Sequence, residues 1–199
     1  MIRKILLAGA SAMAFSALVS ATVADATTVD FTTLPYGTPV TNQFPGLTFT
    51  LKGAGSQYGT TPTIGTFGSS YLGNSAQSAY PTAQILDIGF SSPVKNVSFG
   101  FSNFGYSKYG SGDSFATTLD KLGNVEASVS VNNVEGGIVS IGGNSVSDLQ
   151  INNNGNNWLF GVSELTYSAS VPEPSTWAML LGGFGFIGYV LRRRVLRTA

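Results

Sequence analysis

The chain has 199 residues, with ten basic and ten acidic side chains and no cysteine or histidine. The missing cysteines exclude a disulfide framework, and the lack of both residue types excludes Ser-His-Asp and Cys-His catalysis and the usual zinc ligands. Residues 27–171 contain four lysines, eight acidic residues and no arginine, a net charge of −4. This segment therefore lacks the basic surface that nucleic-acid binding requires.

The first 26 residues have the three parts of a secretory signal peptide. A basic start precedes an apolar run over residues 5–19, and the small residues Ala24 and Ala26 stand where signal peptidase cleaves. We predict residues 1–26 as a signal peptide that the Sec translocase exports and signal peptidase removes after Ala26. Cleavage after Ala24 is the second choice, and a retained N-terminal anchor is the alternative.

Residues 27–170 are predicted to form one all-β domain. Apolar and polar residues alternate in 47–51, 97–101 and 125–131, as expected for strands with one buried face. Further strands are predicted at 28–32, 85–90, 114–119, 137–141, 146–151, 158–162 and 164–168. About ten short strands separated by turn residues predict a single antiparallel β-sandwich of jelly-roll type.

The predicted strands are separated by segments rich in glycine and asparagine. Tight turns are expected at 121–124, 135–137 and 142–144, where Gly and Asn tolerate left-handed backbone conformations. Residues 152–157 are mostly asparagine and are predicted as a loop. Residues 53–80 show weak periodicity and are predicted as a long excursion from the sandwich.

The last part of the chain has three elements in order: a Pro-Glu-Pro sequence, an uncharged apolar run and an arginine cluster. Eighteen uncharged residues separate Glu173 from Arg192. As a helix they would extend about 27 Å, close to the roughly 30 Å hydrocarbon core of a bilayer. We predict a transmembrane helix over 177–191, followed by a stop-transfer signal on the cytoplasmic side. A buried hairpin or core helix of a soluble domain is the alternative.

This order resembles the PEP-CTERM sorting tail of Gram-negative bacteria. The resemblance covers residues 171–197 and rests on one short motif, Pro172, Glu173, Pro174, Trp177 and Ala178, followed by the stop-transfer residues Arg192, Arg193 and Arg194. It implies an inner-membrane precursor with its ectodomain in the periplasm. This precursor would be processed by exosortase, an integral-membrane cysteine protease or transpeptidase. The product is then expected at the cell surface or outside the cell.

One glycine-rich loop is a candidate for glycan contact. Tyr106 and Tyr109 could stack on sugar rings, and Asp113 could accept hydrogen bonds from sugar hydroxyls. The alternative is that these tyrosines cover the rim of the core. The beginning and end of the domain are similar to jelly rolls of the carbohydrate-binding-module type, which suggests a fold but assigns no ligand.

The acidic residues provide the remaining chemistry. Asp30 and Glu164 are candidate ligands for a structural calcium ion, because the first and last strands of such a sandwich commonly pair. Glycoside hydrolysis would need two carboxylates, such as Asp113 with Asp120 or Asp87 with Asp148, yet no spacing singles out a pair. We therefore expect no enzyme and no cofactor beyond that calcium, and regard most acids as surface charges.

Together these features predict an exported, exosortase-processed surface or extracellular-matrix protein with a structural or adhesive role in exopolysaccharide or biofilm. Its expected partners are the Sec translocase, signal peptidase, exosortase and extracellular polysaccharide. A specific glycan-binding module is the alternative, followed by a carbohydrate-active enzyme.

Overall fold

The computed structural model describes residues 25–53, 56–77, 84–104, 114–132, 134–153, 159–170 and 181–185. The chain divides into two compact units: Ala24–Val171, called the β unit below, and a unit formed by Met1–Val23 with Pro172–Ala199. The described part of the β unit is almost entirely antiparallel β-structure, which confirms the predicted all-β class. Its strands are β1 Ala26–Asp30, β2 Leu47–Lys52, β3 Ile64–Phe67, β4 Ser69–Gly73, β5 Ile85–Asn103, β6 Phe115–Leu119, β7 Val125–Ser130, β8 Glu135–Ile141, β9 Val146–Asn152 and β10 Phe160–Ala169.

The long strand β5 connects two groups of strands. Its first part, as far as Phe90, pairs with β2 and β9, and β6 and β7 follow β9. Its second part, from Val94, pairs mainly with β8 and β10, and β10 in turn pairs with β1 and β4. The sequence predicted two separate strands at 85–90 and 97–101, whereas one strand of 19 residues contains both.

A β-bulge in β5 changes which side chains face the core. Thr166 and Ser168 of β10, two residues apart, pair with residues 98 and 95 of β5, three residues apart. The extra residue lies next to Asn96, whose φ of 54° is left-handed and is tolerated best by Asn and Gly. Buried positions therefore change from even to odd numbers along the strand: Leu86, Ile88 and Phe90 before the bulge, and Val97, Phe99 and Phe101 after it.

One hydrophobic core joins both groups of strands. Phe101 lies against Phe160, with ring centroids 5.5 Å apart, and Phe31 packs edge-on against Phe49 at 5.8 Å. The largest fully buried side chains come from β2, β3, β4, β5, β9 and β10 and from the residue that follows β1: Phe31, Phe99, Phe101, Phe160, Leu51, Ile64, Leu72, Leu86, Ile88, Leu149, Ile151 and Leu165. Since no disulfide is present, the free energy that stabilises the β unit comes chiefly from this buried apolar area.

Several predicted boundaries were wrong for identifiable reasons. The excursion predicted at 53–80 contains β3 and β4, whose glycines hide the strand alternation. At one of these glycines, Gly65, and at Gly161 of β10, an added Cβ would lie 2.7 and 2.3 Å from the ring of Tyr71, so both glycines make room for that ring. The two strands predicted at 158–162 and 164–168 are the single strand β10.

The first predicted strand, 28–32, instead ends at Asp30. The Asp30 carboxylate accepts hydrogen bonds from the Thr32 amide, at 2.8 Å, and the Thr32 hydroxyl, at 2.6 Å, and thereby caps a 3₁₀ helix over Phe31–Thr33. In β7, Val125 is 64% exposed although the alternation predicted a buried face. β7 is the last strand beyond β6, so its apolar side chains have fewer neighbours to cover them.

Candidate functional site

A polar face lies on the side of β2, β5, β9, β6 and β7 that is turned away from the core. Successive side chains of a strand point to opposite faces, and the residues between the buried ones are polar on most of these strands. The pairing registers align five of them in one row across the sheet: Thr50, Asp87, Gln150, Thr117 and Ser128. We call these strands' outer surface the polar face.

Asp87 is the most buried residue of that row. Only 7% of its surface is exposed, although it lies on the side of the sheet opposite the core. Its Oδ2 atom is 2.7 Å from the ammonium nitrogen of Lys52, which forms a salt bridge. Its Oδ1 atom is buried and has no hydrogen-bond partner among the described residues. A buried carboxylate oxygen without a donor is costly, and such atoms often mark functional positions.

Asp148 is the second carboxylate on the polar face. It pairs with Gly89 of β5, which lies two residues after Asp87. Asp148 is therefore the diagonal neighbour of Asp87 on the adjacent strand β9. Burial raises the pKa of Asp148, the negative charge of Asp87 raises it further, and the positive charge of Lys52 partly opposes both effects. The structure thus brings together Asp87 and Asp148, one of the two acid pairs considered from the sequence.

A pocket of about 380 Å³ opens beside Asp148, and we call it the Gly89 pocket. A Cβ added to Gly89 would lie 2.5 Å from the Thr48 hydroxyl oxygen and 3.3 Å from Asp148 Oδ1, so the Thr48 side chain packs directly over Gly89 and leaves no room for a larger residue. The polar and charged side chains that line the pocket are Thr48, Ser91, Lys121, Ser147 and Asp148.

The calcium candidates are brought together by the pairing of the first and last strands. Asp30 of β1 is the direct cross-strand partner of Glu164 of β10. Asp30 already accepts two hydrogen bonds from Thr32. Within the described ranges, no three acidic, histidine or cysteine side chains are close enough to hold a metal ion.

Asp120 has a local structural role. Its Oδ1 accepts hydrogen bonds from the amides of Leu122 and Asn124, both at 2.8 Å, and its Oδ2 accepts one from the Asn124 side chain at 2.9 Å. These bonds hold the turn between β6 and β7, and they lower the pKa of the carboxyl group. Its proposed partner Asp113, together with Tyr106 and Tyr109, lies outside the described residues.

The two predicted cleavage residues of the signal peptide lie at the start of the described part of the chain. Ala24 lies outside it, whereas Ala26 is the first residue of β1 and pairs with Ser168. Cleavage after Ala26 would leave Thr27–Asp30 to pair with β10.

Most of the tail also lies outside the described residues, including Pro172, Glu173, Pro174, Trp177, Ala178 and Arg192, Arg193, Arg194. Of the helix predicted at 177–191, residues 181–185 are described and are helical, with Leu181 62% and Phe184 67% exposed. In the part of the chain that is described, no helix has the length and apolar character to cross a membrane.

Residues 170–194 match the PEP-CTERM protein-sorting motif. The resemblance inferred from Pro172, Glu173, Pro174 and the following apolar run is thereby confirmed. The PEP-CTERM motif identifies the chain as an exported protein with exosortase as its processing partner, made as a membrane-anchored precursor that is destined for the surface. The match covers the tail and includes only the last two residues of the β unit, Ser170 and Val171. A comparison with curated proteins finds no match.

The sequence did not reveal the residues that complete the polar face. Lys52, Gly89 and Lys121 belong to segments that are far apart in the chain, and their proximity depends on the register of β2, β5, β9 and β6. The one available signal was the Thr-Phe-Thr alternation at 48–50, which indicates a solvated polar face but does not identify its neighbours.

Proposed function

We propose that this PEP-CTERM protein is a structural or adhesive component of an exopolysaccharide matrix, such as that of a biofilm. The observation that carries the proposal is the sorting motif at residues 170–194. The β unit adds support, because its sequence has few charges and is rich in Ser, Thr, Asn and Gly. Such side chains exchange hydrogen bonds with hydroxyl groups and with water, as a hydrated polysaccharide environment requires.

The proposed route has two processing steps. The Sec translocase exports the chain and signal peptidase cleaves it at Ala24 or Ala26. Residues 177–191 then hold the precursor in the inner membrane, with Arg192–Arg194 in the cytoplasm and the β unit in the periplasm. Exosortase acts at Pro172–Pro174 and transfers the protein to the cell surface or releases it.

We also propose that the β unit is a jelly-roll-like sandwich. The support is that β5 is shared by two groups of strands, and that side chains from both groups enter one hydrophobic core. Bulges commonly bend a strand, and such a bend beside Asn96 would let β5 take part in two packed sheets.

A role without catalysis and without a cofactor is part of the proposal. Residues 27–171 contain no His, Cys or Arg, so a hydrolase would depend on carboxylates alone. Asp87 is engaged by Lys52, and Asp120 is engaged in a turn. Asp30 and Glu164 remain the candidates for a structural calcium ion, should one bind. A specific glycan-binding role is the second candidate function, favoured by the row of hydrogen-bonding side chains Thr50, Gln150, Thr117 and Ser128 on the polar face.

The proposal is tested by deleting the gene in the native host and restoring it in two forms. One form is the unaltered chain, and the other carries Pro172→Ala, Glu173→Ala and Pro174→Ala together. We expect deletion to reduce surface attachment and matrix mass, and only the unaltered chain to restore both. Equal attachment and matrix mass in the deleted and parent strains would overturn the matrix role.

A further inference from the structure

The salt bridge on the polar face joins two neighbouring strands. The register pairs Lys52 of β2 with Ile85 of β5, two residues before Asp87, so Lys52 and Asp87 are diagonal neighbours on one face. The Lys52 Nζ atom lies 2.7 Å from Asp87 Oδ2. Because the Asp87 carboxyl carbon is bonded to that oxygen, it is at most about 4 Å from the same nitrogen. The fold therefore holds an amine and a carboxyl carbon close to the distance at which such groups react.

The surroundings of the Asp87 carboxylate favour its conversion into a neutral group. Its side chain is 9% exposed, and its Oδ1 atom is buried without a donor among the described residues. Asp148 on β9 places a second carboxylate nearby, and burial together with the negative charge of Asp87 raises the pKa of Asp148. An amide at Asp87 would remove a buried charge and the repulsion between the two carboxylates.

We propose that Lys52 and Asp87 become joined by an amide bond between their side chains. The Lys52 side chain is 48% exposed, so its ammonium group can release a proton to water, and the neutral nitrogen then attacks the Asp87 carboxyl carbon. An N–C bond forms and one C–O bond of the carboxyl group breaks. Over the whole reaction one ammonium proton stays on the amide nitrogen, and two leave with a carboxylate oxygen as water. No oxidant, cofactor or second reactant is consumed.

The fold supplies both the driving force and the benefit of this bond. Groups held in a reactive arrangement reach effective concentrations of about 10⁵–10⁸ M, which favours condensation over hydrolysis. The bond closes a loop over residues 52–87 and ties β2 to β5. Closing a loop restricts the unfolded chain and thereby stabilises the folded one, as a disulfide does in many exported proteins. This chain has no cysteine, and the amide would provide a covalent link in its place. The inference is independent of the matrix role.

The test is the intact mass and the tryptic map of the full chain. The chain is purified in detergent and denatured, and its two termini are identified from their peptides. We expect a mass lower by one water molecule than the mass calculated between those termini. Trypsin should cleave after the other lysines but not after Lys52, because it does not recognise an acylated lysine. Fragmentation of the uncleaved peptide should locate the link between Lys52 and Asp87.

Lys52→Arg is the variant that separates the amide from a salt bridge. Arginine keeps a positive charge beside Asp87, but its guanidinium group stays protonated and does not attack a carboxyl carbon. This variant should therefore have the full calculated mass. Lys95→Arg, a lysine change in the second part of β5, is the matched control and should lose one water molecule as the unaltered chain does. Circular dichroism checks that both variants fold.

Two results would overturn the proposal. If the unaltered chain has its full calculated mass and trypsin cleaves after Lys52, the pair is an ordinary salt bridge. If Lys52→Arg loses the same water molecule, the dehydration lies at another residue. Should Lys52→Arg fail to fold, the tryptic map of the unaltered chain decides by itself, since cleavage after Lys52 and an amide at Lys52 exclude each other.

Discussion

The sorting tail and the β unit differ in how residues carry function. In the tail, the Pro-Glu-Pro motif, the apolar run and the arginines act as one continuous segment, and a match over residues 170–194 suffices to recognise it. In the β unit, the polar face combines Lys52, Asp87 and Asp148 from three strands. The sorting motif can therefore be recognised from the sequence alone, whereas the polar face can be recognised only when the pairing register of the strands is known.

This difference predicts that changes in the two regions have separable consequences. Replacing Pro172, Glu173 and Pro174 together by Ala should abolish exosortase processing almost completely, because the recognised segment is removed. The same variant should leave the unfolding midpoint of the β unit unchanged, as the substituted residues lie outside it. Immunoblots of membrane and extracellular fractions measure the first effect, and denaturant unfolding measures the second. Efficient processing of this variant would show that exosortase does not need the Pro-Glu-Pro sequence, which would contradict the role given to the tail.

A substitution in the core should instead lower the stability of the β unit. Phe99→Ala removes a side chain that is 1% exposed and packs edge-on against Phe101, so we expect a loss of about 3–5 kcal/mol in the free energy of unfolding. Leu122→Ala is the control, since Leu122 is 86% exposed and should change stability by less than about 0.5 kcal/mol. Urea unfolding of both variants gives the comparison, and equal effects would contradict the described core.

A glycine beneath Tyr71 gives a smaller effect. In Gly161→Ala the new methyl group would lie 2.3–2.8 Å from atoms of the Tyr71 side chain, which forces that side chain or the strand to move. We expect a destabilisation of about 1–3 kcal/mol, as for other overpacked sites. Gly142→Ala is the matched control, because its new methyl group meets the Ala127 Cβ at an ordinary 3.7 Å. If the two variants unfold at the same urea concentration, Tyr71 does not occupy the described position.

The smallest effects concern two carboxylates with opposite pKa shifts. The raised pKa of Asp148 means that its ionised form is disfavoured in the folded state, so stability falls as pH rises through that pKa. Asp148→Asn should therefore raise the thermal unfolding midpoint at pH 7, and the gain should disappear below about pH 4. A midpoint that does not change at pH 7 would contradict the burial of Asp148.

For Asp120 the lowered pKa gives the reverse sign. Its hydrogen bonds favour the ionised carboxylate, so its contribution is present above about pH 4 and is lost as pH falls through the lowered pKa. Asp120→Asn should lower the unfolding midpoint at neutral pH, and the deficit should shrink in acid. A midpoint lowered equally at pH 7 and pH 3 would show that charge is not the cause.

The sequence was sufficient for the all-β class and for the sorting motif. Alternation in 47–51 predicted β2 with both ends nearly correct, because each apolar residue there enters the core. It was insufficient where tertiary contacts override local pattern. Val125 follows the alternation and is exposed, while Gly65 interrupts it and yet lies in a strand that packs against Tyr71. The polar face was beyond reach because its row of side chains comes from five strands, and alternation within a strand does not give the pairing register between strands.

The most direct test of the account is the intact mass of the mature protein from its native host, with and without active exosortase. With the enzyme, we expect a chain that begins near Thr27 and ends near Pro172–Pro174, with any excess mass revealing a conjugate. Without it, we expect a longer membrane-bound chain that retains the arginine cluster. A mature mass that still includes residues 192–199 in the presence of exosortase would contradict the account, because the tail would then be a permanent part of the protein.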